Sequence, residues 1–361
     1  MKRCIELARK GAGFVAPNPM VGAVLVVNDL IVGEGWHQLY GEAHAEVHAI
    51  NAAAEYFKQH KISQGFETST LYVSLEPCAH IGKTPPCADL IIRNNIPRVV
   101  IGCRDPFEQV NGKGVEKLLA AGVSVEMGIL EADCIALNKR FFTYHTRKRP
   151  YIILKWAETG DGKIAAGNTE RLLISNEYTN RLVHRWRSEE AAILVGTNTA
   201  LLDNPALNVR YWEGRPSPIR LVIDMNLRLP GSLKIFNDNL PTIIFNSNIH
   251  DIEEGMRADA IRKHIGVLHY KLEPGPSLPA ALCNALYLLG IQSVLVEGGA
   301  VLLQSFIDNG LWDECRIIHN YNVEAPGGLN APTIRNAGLV NTQKVVSDTI
   351  ETYLPASVET A

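Results

Sequence analysis

The stretch His44-Ala45-Glu46, followed downstream by Cys78 and Cys87, decides the fold of the first part of this chain. Zinc in proteins favours imidazole and thiolate ligands, and a catalytic zinc site with three protein ligands keeps its fourth position open for water. A glutamate that lies beside the metal without binding it can pass a proton from that water to a leaving amine. The pattern therefore predicts a deaminase-type zinc site, with His44, Cys78 and Cys87 as ligands and Glu46 as the catalytic proton shuttle.

The segments around these residues alternate between predicted strands and helices. An alanine-rich helix is predicted over 44–57, a strand over 71–75 leads towards Cys78, and Cys87 begins another helix. Both Cys87 and His44 then lie at helix N-termini, where the partial positive charge stabilises thiolates. The remaining predicted elements of this part are a hairpin of 21–27 and 30–35 that turns at Asn28-Asp29, a strand over 99–102, a helix over 115–121, a strand over 123–128 and a helix over 131–145.

Two domains are expected, because 361 residues exceed the usual size of one hydrophobic core. A basic turn at 147–150 precedes a fresh apolar strand at 151–156, which predicts a boundary between domains 1–146 and 147–361. A second alternation follows, with predicted strands near 191–195, 219–224, 242–245 and 293–296. This alternation of strands and helices predicts the α/β class throughout.

Composition and charge limit which cellular compartment and which binding partners are expected. The chain is 46% hydrophobic with a formal net charge of −3, and it contains no apolar run of the about 18 residues that a membrane span needs. Its start lacks the apolar core and cleavage site of a signal peptide, so a cytoplasmic protein is expected. Neither a membrane nor a nucleic-acid partner is expected, since there is no basic block or tail. The cysteines outside the zinc pattern are expected to be small buried hydrophobes: Cys4, Cys103, Cys134, Cys283 and Cys315.

Longer segments around the zinc pattern resemble one enzyme family. The run from Cys78 to Cys87 (CAHIGKTPPC) resembles the P-C-x-H-x-G-[KR]-T-P-P-C segment of the bifunctional riboflavin-biosynthesis deaminase/reductase family. Residues 17–22 (PNPMVG) are similar to the N-P-x-V-G segment of that family, and residues 41–48 (GEAHAEVH) to its G-x-x-H-A-E-V run. The spacing of eight residues between the cysteines also agrees with the family.

The resemblance continues into the second domain. Residues 154–163 (LKWAETGDGK) look like the L-K…D-G-[KR] opening of the family reductase, and residues 199–210 (TALLDNPALNVR) like its T-x-x-x-D-[DN]-P-x-L-[TN]-x-R segment. Residues 295–299 (LVEGG) fit its V-E-G-G turn. The similarity covers nearly the whole chain and thins between residues 230 and 290 and after residue 320.

For the first domain, the resemblance implies a cytidine-deaminase-like three-layer α/β/α fold that binds one Zn²⁺ at the pattern above. It implies that Asn18 holds the pyrimidine edge of the substrate, and that His80, Lys83 and Thr84 contact the substrate from the loop between the cysteines. A lysine beside a threonine near a helix start also suits a phosphate on physical grounds.

For the second domain, the resemblance implies a dihydrofolate-reductase-like α/β fold that binds NADPH. The implied substrate-binding residues, whose arginines would grip a phosphate bidentately, are Lys155, Arg171, Arg187, Leu207, Arg210 and Glu297. The implied cofactor-binding residues are Ala157, Leu173, Thr199, Asp203, Gly298, Gly299, Ala300, Val301 and Leu302. Arg171 and Leu173 depart from the family, which usually has a serine and a tryptophan there.

The resemblance implies a bifunctional enzyme of riboflavin synthesis that forms homo-oligomers, dimers or tetramers, as the family does. It would hydrolytically deaminate 2,5-diamino-6-(5-phosphoribosylamino)pyrimidin-4-one and then reduce the ribosyl chain to ribityl with NADPH. One alternative is a monofunctional zinc deaminase whose second domain only binds or assembles. A nucleic-acid base deaminase would have a basic groove and only two residues between its cysteines, and a zinc-stabilised scaffold would not need Glu46.

Overall fold

The computed structural model describes residues 1–80, 85–167, 172–236 and 240–356. Three residues that the sequence analysis assigns to sites, Lys83, Thr84 and Arg171, lie outside these described residues. The chain divides into two compact units, Met1–Arg147 and Lys148–Ala361.

The first unit is built on one five-stranded sheet. Its strands are β1 (Gly22–Val27), β2 (Leu30–Trp36), β3 (Thr70–Leu75), β4 (Arg98–Cys103) and β5 (Ser124–Met127). They lie in the order β2-β1-β3-β4-β5; β1 is antiparallel to both its neighbours, whereas β3, β4 and β5 are parallel. The helices of this unit are α1 (Lys2–Ala8), α2 (Ala45–Gln59), α3 (Cys87–Arg93), α4 (Lys113–Ala120), α5 (Glu131–Leu137) and α6 (Lys139–Arg147).

Helices cover both faces of this sheet, because alternate residues of each strand point to opposite sides and both sides are apolar. On one face, Leu25 of β1 packs in one cluster with Ala49 of α2 and Leu118 of α4. On the other face, its neighbour Val24 packs with Leu7 of α1. The predicted three-layer α/β/α arrangement is confirmed.

The hairpin turn predicted at Asn28-Asp29 is also confirmed. Val27 pairs with Leu30, and the two turn residues have positive φ angles of 49° and 64°. Positive φ at both central residues is typical of the two-residue turns that match the twist of the strands they join.

The helix predicted over 131–145 is interrupted, and the prediction of a single helix is wrong. α5 ends at Leu137 and α6 begins at Lys139, with the buried Asn138 between them. The Asn138 side chain accepts a hydrogen bond from the Met20 N–H at 2.8 Å and donates one to the Met20 carbonyl at 2.9 Å. Asparagine side chains that bind backbone groups compete with helical hydrogen bonds, which accounts for the break.

The second unit is built on a nine-stranded sheet. The strands of this unit are β6 (Tyr151–Thr159), β7 (Lys163–Ala165), β8 (Ala192–Val195), β9 (Ile219–Ile223), β10 (Thr242–Asn246), β11 (Val267–Lys271), β12 (Ser293–Val296), β13 (Glu314–Asn320), β14 (Leu329–Asn330), β15 (Ala337–Val345) and β16 (Asp348–Pro355). The order in the sheet is β11-β10-β9-β8-β12-β6-β13-β16-β15, parallel from β11 to β13 and antiparallel beyond, while β7 and β14 pair separately.

Helices also flank this second sheet on both sides. They are α7 (Glu177–Glu189), α8 (Thr197–Asp203), α9 (Ala258–Ile261), α10 (Leu278–Leu288) and α11 (Ala300–Asp308). Val222 of β9 packs with Ala200 of α8, whereas its neighbour Leu221 packs on the other face with Leu286 of α10 and Leu303 of α11. The α/β class is therefore confirmed for this unit too. Ligands of such sheets bind at the carboxyl ends of the parallel strands.

Two expectations from composition concern cysteines and membranes. The five cysteines outside the zinc pattern are all buried, as predicted, and all have free thiols. Among the described residues, no helix combines the length and the apolar character that crossing a membrane would take.

Candidate active sites

His44, Cys78 and Cys87 converge at one point of the first unit. Their ligand atoms lie within 4.8 Å of one another, with His44 Nδ1 3.6 Å from Cys78 Sγ and 3.3 Å from Cys87 Sγ. With ordinary Zn–N and Zn–S bond lengths, the ligand atoms of a tetrahedral site are about 3.6 Å apart. Both the donor set and its spacing therefore fit a zinc ion.

Secondary structure brings these ligands together. His44 is the N-cap of α2 and Cys87 is the first residue of α3, which confirms that both lie where helices begin. A Cβ atom at Gly35 would lie 2.4 Å from the carbonyl oxygen of Ala45, so glycine is what lets the start of α2 pack this closely on β2. A hydrogen bond with the Cys87 thiol, together with His44, lowers the pKa of the Cys78 thiol to about 4 although burial opposes this. One thiolate is thus stabilised among the three donors.

Glu46 lies in the first turn of α2 and is only 3% exposed. Burial raises the pKa of its carboxyl, while electrostatic attraction to His44 and a hydrogen bond with Cys87 favour the charged form. A carboxyl group held in this way beside the metal donors can both accept and release a proton, which is the requirement for general acid–base catalysis.

Asn18 is held by a buried histidine that the sequence analysis missed. His37 Nδ1 lies 3.1 Å from the carbonyl oxygen of Ala43, and His37 Nε2 lies 3.0 Å from Asn18 Nδ2. Because a carbonyl oxygen can only accept, Nδ1 carries the ring hydrogen and Nε2 accepts from the Asn18 amide. The Asn18 Oδ1 and its second amide hydrogen are then the groups available to a pyrimidine edge. The sequence signal that could have pointed to His37 is its position as a polar residue directly after β2.

His80 packs on Phe107, whose segment contains a second residue that the sequence analysis missed, Asp105. Its ring packs edge to face on Phe107 at 6.1 Å, and its buried Nδ1 forms no hydrogen bond within the described ranges. Asp105 precedes Phe107 by two residues and accepts its N–H at 2.7 Å. Burial raises the pKa of the Asp105 carboxyl to about 7. The signal for Asp105 was its place after β4, the parallel neighbour of the strand that leads to Cys78.

In the second unit, Lys155, Arg187 and Glu297 form a partly buried cluster of charges. Arg187 donates through Nε and Nη2 to the two carboxylate oxygens of Glu297, both at 2.7 Å. Burial opposes ionisation of Glu297, but Arg187 and Lys155 outweigh it and hold the pKa of Glu297 at about 2. Burial lowers the pKa of the Lys155 ammonium, and Glu297 partly offsets this. The two-nitrogen edge of Arg187, expected to grip a phosphate, binds a carboxylate in this structure.

Leu207 and Arg210 belong to a segment that lies against α7. Leu207 is buried and has a positive φ of 51°. The Asn208 carbonyl accepts from Arg187 Nη1 at 3.4 Å, and its side-chain oxygen accepts from Arg210 Nη1 at 2.6 Å. The Arg210 backbone N–H donates to Nδ1 of His184, a buried residue that the sequence analysis missed. The structure thus links Lys155, Glu297 and Arg187 to each other, and Arg187 to Arg210 through Asn208.

Six of the nine predicted cofactor residues, Thr199 and 298–302, follow the carboxyl ends of β8 and β12. The Gly196 N–H donates to the Gly298 carbonyl at 2.9 Å. Gly298 has a φ of 127°, which only glycine adopts readily, and a Cβ atom at Gly299 would lie 3.2 Å from Thr199 Oγ1. This turn ends at the N-terminus of α11, where Ala300 is followed by Val301 and Leu302, an arrangement that suits the phosphates of a dinucleotide.

Three other predicted cofactor residues lie elsewhere in the second unit. Asp203 is exposed at the end of α8, and Ala157 is half-buried on β6. Leu173 is 73% exposed.

Comparison with known families matches both parts of the chain. The cytidine and deoxycytidylate deaminase zinc-binding region matches residues 1–103, and the RibD C-terminal domain matches residues 150–346. The riboflavin biosynthesis protein RibD of Aquifex aeolicus (strain VF5) is 41% identical over 314 residues, which cover 87% of this chain and 83% of that protein. That of Bacillus amyloliquefaciens is 39% identical over 338 residues, 92% of this chain and 86% of that protein.

Solved structures agree with these relatives. The diaminohydroxyphosphoribosylaminopyrimidine deaminase/5-amino-6-(5-phosphoribosylamino)uracil reductase of Thermotoga maritima has a TM-score of 0.84 at 35% identity, covering 99% of this chain and 97% of that one. Acinetobacter baumannii RibD, form 1, has a TM-score of 0.86 at 30% identity, covering 99% and 98%. The two sites and these matches together show that the chain is a bifunctional deaminase and reductase that belongs to the RibD family.

Proposed function

We propose that the chain catalyses two consecutive steps of riboflavin synthesis on one small-molecule substrate. In the first step, water replaces an amino group of 2,5-diamino-6-(5-phosphoribosylamino)pyrimidin-4-one and ammonia leaves. In the second step, NADPH reduces the ribosyl chain of the deaminated product to ribityl. The observation that carries the proposal is the convergence of His44, Cys78 and Cys87 beside the buried, protonatable Glu46.

In the first step, each residue has a separate task. Zinc, held by the one histidine and two cysteines, activates water for attack when it is bound. Asn18 orients the pyrimidine through an amide that His37 fixes. Glu46 takes a proton from the attacking water and gives it to the departing amine. His80, Lys83 and Thr84 contact the rest of the substrate; for the last two, which lie outside the described residues, this rests on the family resemblance.

In the second step, NADPH supplies a hydride when it is bound. The turn through Gly298 and Gly299 holds the cofactor together with Thr199. Lys155 and Glu297 hold the ribosyl group, since a partly buried ammonium and carboxylate make strong charge-assisted hydrogen bonds with hydroxyl groups. Leu207 closes the substrate site, and the exposed guanidinium of Arg210 meets the phosphate. The contacts of Arg171, Asp203, Ala157 and Leu173 rest on the family resemblance.

The proposal extends to organisation and compartment. The deaminase domain is 1–146 and the reductase domain is 147–361, which the division of the chain next to Arg147 supports. The protein works as a homo-oligomer, a dimer or a tetramer, which rests on the family resemblance, and it works in the cytoplasm, which the sequence analysis predicts. The alternative of a non-catalytic second domain is not favoured, because the match to the RibD C-terminal domain covers residues 150–346.

A coupled assay tests the two activities and their order. Zinc-loaded protein is given the diaminopyrimidinone substrate with and without NADPH, and ammonia release and nicotinamide absorbance are followed together. We expect ammonia in both cases and NADPH oxidation only after deamination. Ammonia release without any NADPH oxidation would restrict the chain to the first step.

A further inference from the structure

His184 lies on the face of α7 that holds the segment carrying Arg210. The Arg210 backbone N–H donates to His184 Nδ1 at 3.1 Å. One turn further along the helix, Arg187 donates to the carbonyl of Asn208. Residues three apart share one face of a helix, so this face of α7 sets the position of the segment. The ring of His184 therefore lies beside the residues at which the reductase substrate is proposed to bind.

The contact with Arg210 also fixes the tautomer of His184. A backbone N–H can only donate, so Nδ1 must be unprotonated and the hydrogen of the neutral ring lies on Nε2. His184 as a whole is only 3% exposed, but its Nε2–H keeps access to solvent and forms no hydrogen bond with any residue of the four described ranges, 1–80, 85–167, 172–236 and 240–356. An accessible donor beside the residues assigned to the substrate is available to a ligand.

The charges around His184 indicate what kind of ligand fits. Burial, then Arg187 and Arg210, lower the pKa of His184 to about 4; Lys155 contributes in the same direction, and Glu297 opposes. Three cations and one carboxylate thus act on the ring, which leaves an excess of positive charge. Such an excess attracts an anion. The ring stays neutral at physiological pH and keeps its single donor.

We propose that His184 Nε2–H donates a hydrogen bond to the phosphate of the reductase substrate. The inference rests on the proposed function, in which that phosphate is the anionic group of the substrate. NADPH carries phosphates as well, but the turn assigned to them adjoins Thr199, whereas His184 adjoins the residues assigned to the substrate. His184 is thus a further substrate-binding residue, which the sequence pattern did not indicate.

Two substitutions distinguish the roles of the two ring nitrogens of His184. His184→Asn keeps an acceptor near the place of Nδ1 and loses the donor at Nε2, whereas His184→Gln places an amide N–H near Nε2. The deaminated intermediate and its dephosphorylated form are supplied directly, and KM and kcat of the reduction are measured for each protein. We expect His184→Asn to raise KM for the phosphorylated substrate about tenfold to a hundredfold, the range for a lost hydrogen bond to a charged group, with little change in kcat.

The controls decide what a loss of activity means. His184→Gln, which keeps the donor but loses the acceptor for the Arg210 N–H, should raise KM for the phosphorylated substrate less than His184→Asn does. KM for NADPH should be unchanged, and His184→Asn and wild type should nearly agree on the dephosphorylated substrate. Ammonia release by the same preparations reports intact folding of the chain. An equal loss on both substrates, a raised KM for NADPH, or damage confined to His184→Gln would overturn the proposal, because the ring would then serve the cofactor or only the backbone of Arg210.

A failure of the proposed function can be recognised separately. If wild-type protein oxidises no NADPH, the reductase assignment fails, and the site is tested with ribose 5-phosphate by calorimetry. Binding that weakens in His184→Asn but not in His184→Gln would still support a phosphate ligand at Nε2. Equal binding by all three proteins, or none, would overturn it.

Discussion

Glu46 is the residue whose chemistry separates a zinc enzyme from a zinc-stabilised scaffold. It lies two positions after a metal ligand, is almost fully buried, and interacts with all three metal donors. The three donors alone would bind a metal, but they offer no group that can carry a proton from water to a leaving amine. Its role can therefore be tested without removing the metal.

We expect Glu46→Gln to lower the rate of deamination about a hundredfold or more, because glutamine keeps the size of the side chain but cannot carry a proton. Zinc content, measured by metal analysis, should be unchanged. NADPH oxidation with supplied deaminated intermediate serves as the control and should match the wild type. Ammonia release at the normal rate would exclude Glu46 as the proton shuttle.

Single residues also show how far sequence reasoning reaches. The ligands and Glu46 could be predicted because their residue types and spacing carry the chemistry by themselves. His37, Asp105 and His184 could not, because their roles come from contacts with segments distant in the sequence or from burial. The tautomer of His184, for example, is set by the backbone of a residue 26 positions away.

At the scale of elements, Glu76 links the end of β3 to the backbone that precedes and begins α4. This buried residue stands two positions before Cys78, and its carboxylate accepts hydrogen bonds from four backbone N–H groups. A Cβ atom at Gly114 would lie 1.9 Å from the carbonyl oxygen of Pro77, so the start of α4 touches the strand end directly. The backbone donors are Asp105, Gly112, Gly114 and Val115, at 3.3, 3.1, 3.1 and 3.2 Å. One side chain thus joins the segment that carries a zinc ligand to the start of α4.

We expect Glu76→Gln to lower the free energy of unfolding by about 1–3 kcal/mol, because an amide nitrogen in place of one oxygen leaves buried N–H groups unpaired. Denaturant unfolding followed by circular dichroism measures this change. Glu116→Gln, at an exposed position on α4, is the matched control and should stay within about 0.5 kcal/mol of the wild type. Equal stability of the two variants would contradict the role given to Glu76.

Elements whose pattern is local could be predicted from the sequence. The helix that begins at His44, the turn at Asn28-Asp29 and the buried parallel strands all follow from periodicity, capping and turn chemistry. The break at Asn138 could not be predicted, because its cause is a pair of hydrogen bonds to Met20, 118 positions away in the sequence. Local helix propensity carries no information about hydrogen bonds that form only when distant segments meet in the folded chain.

At the scale of the whole molecule, the two chemistries draw on different residues. Every zinc donor lies within Met1–Arg147, and the cluster of Lys155, Arg187 and Glu297 lies within Lys148–Ala361. Each unit also has its own apolar core. The order of the two domains and their α/β class could be predicted from the sequence, because each carries its own motifs.

We expect removal of zinc by a chelator to abolish ammonia release and to leave NADPH oxidation intact when the deaminated intermediate is supplied. The reason is that none of the described metal donors belongs to the second unit. Both rates are measured on one preparation before chelation, after it, and after zinc is returned. Loss of both activities on chelation would show that the reductase depends on the metal.

The pairing of Arg187 with Glu297 has a consequence for selectivity. Any solution that contains free inorganic phosphate offers small anions to every accessible arginine. Arg187 has little capacity left for such an anion, because its Nε and Nη2 already donate to the carboxylate of Glu297. A bare anion therefore meets one arginine whose charge a carboxylate already offsets. We expect inorganic phosphate to compete only weakly with a substrate that brings sugar hydroxyl groups along with its phosphate.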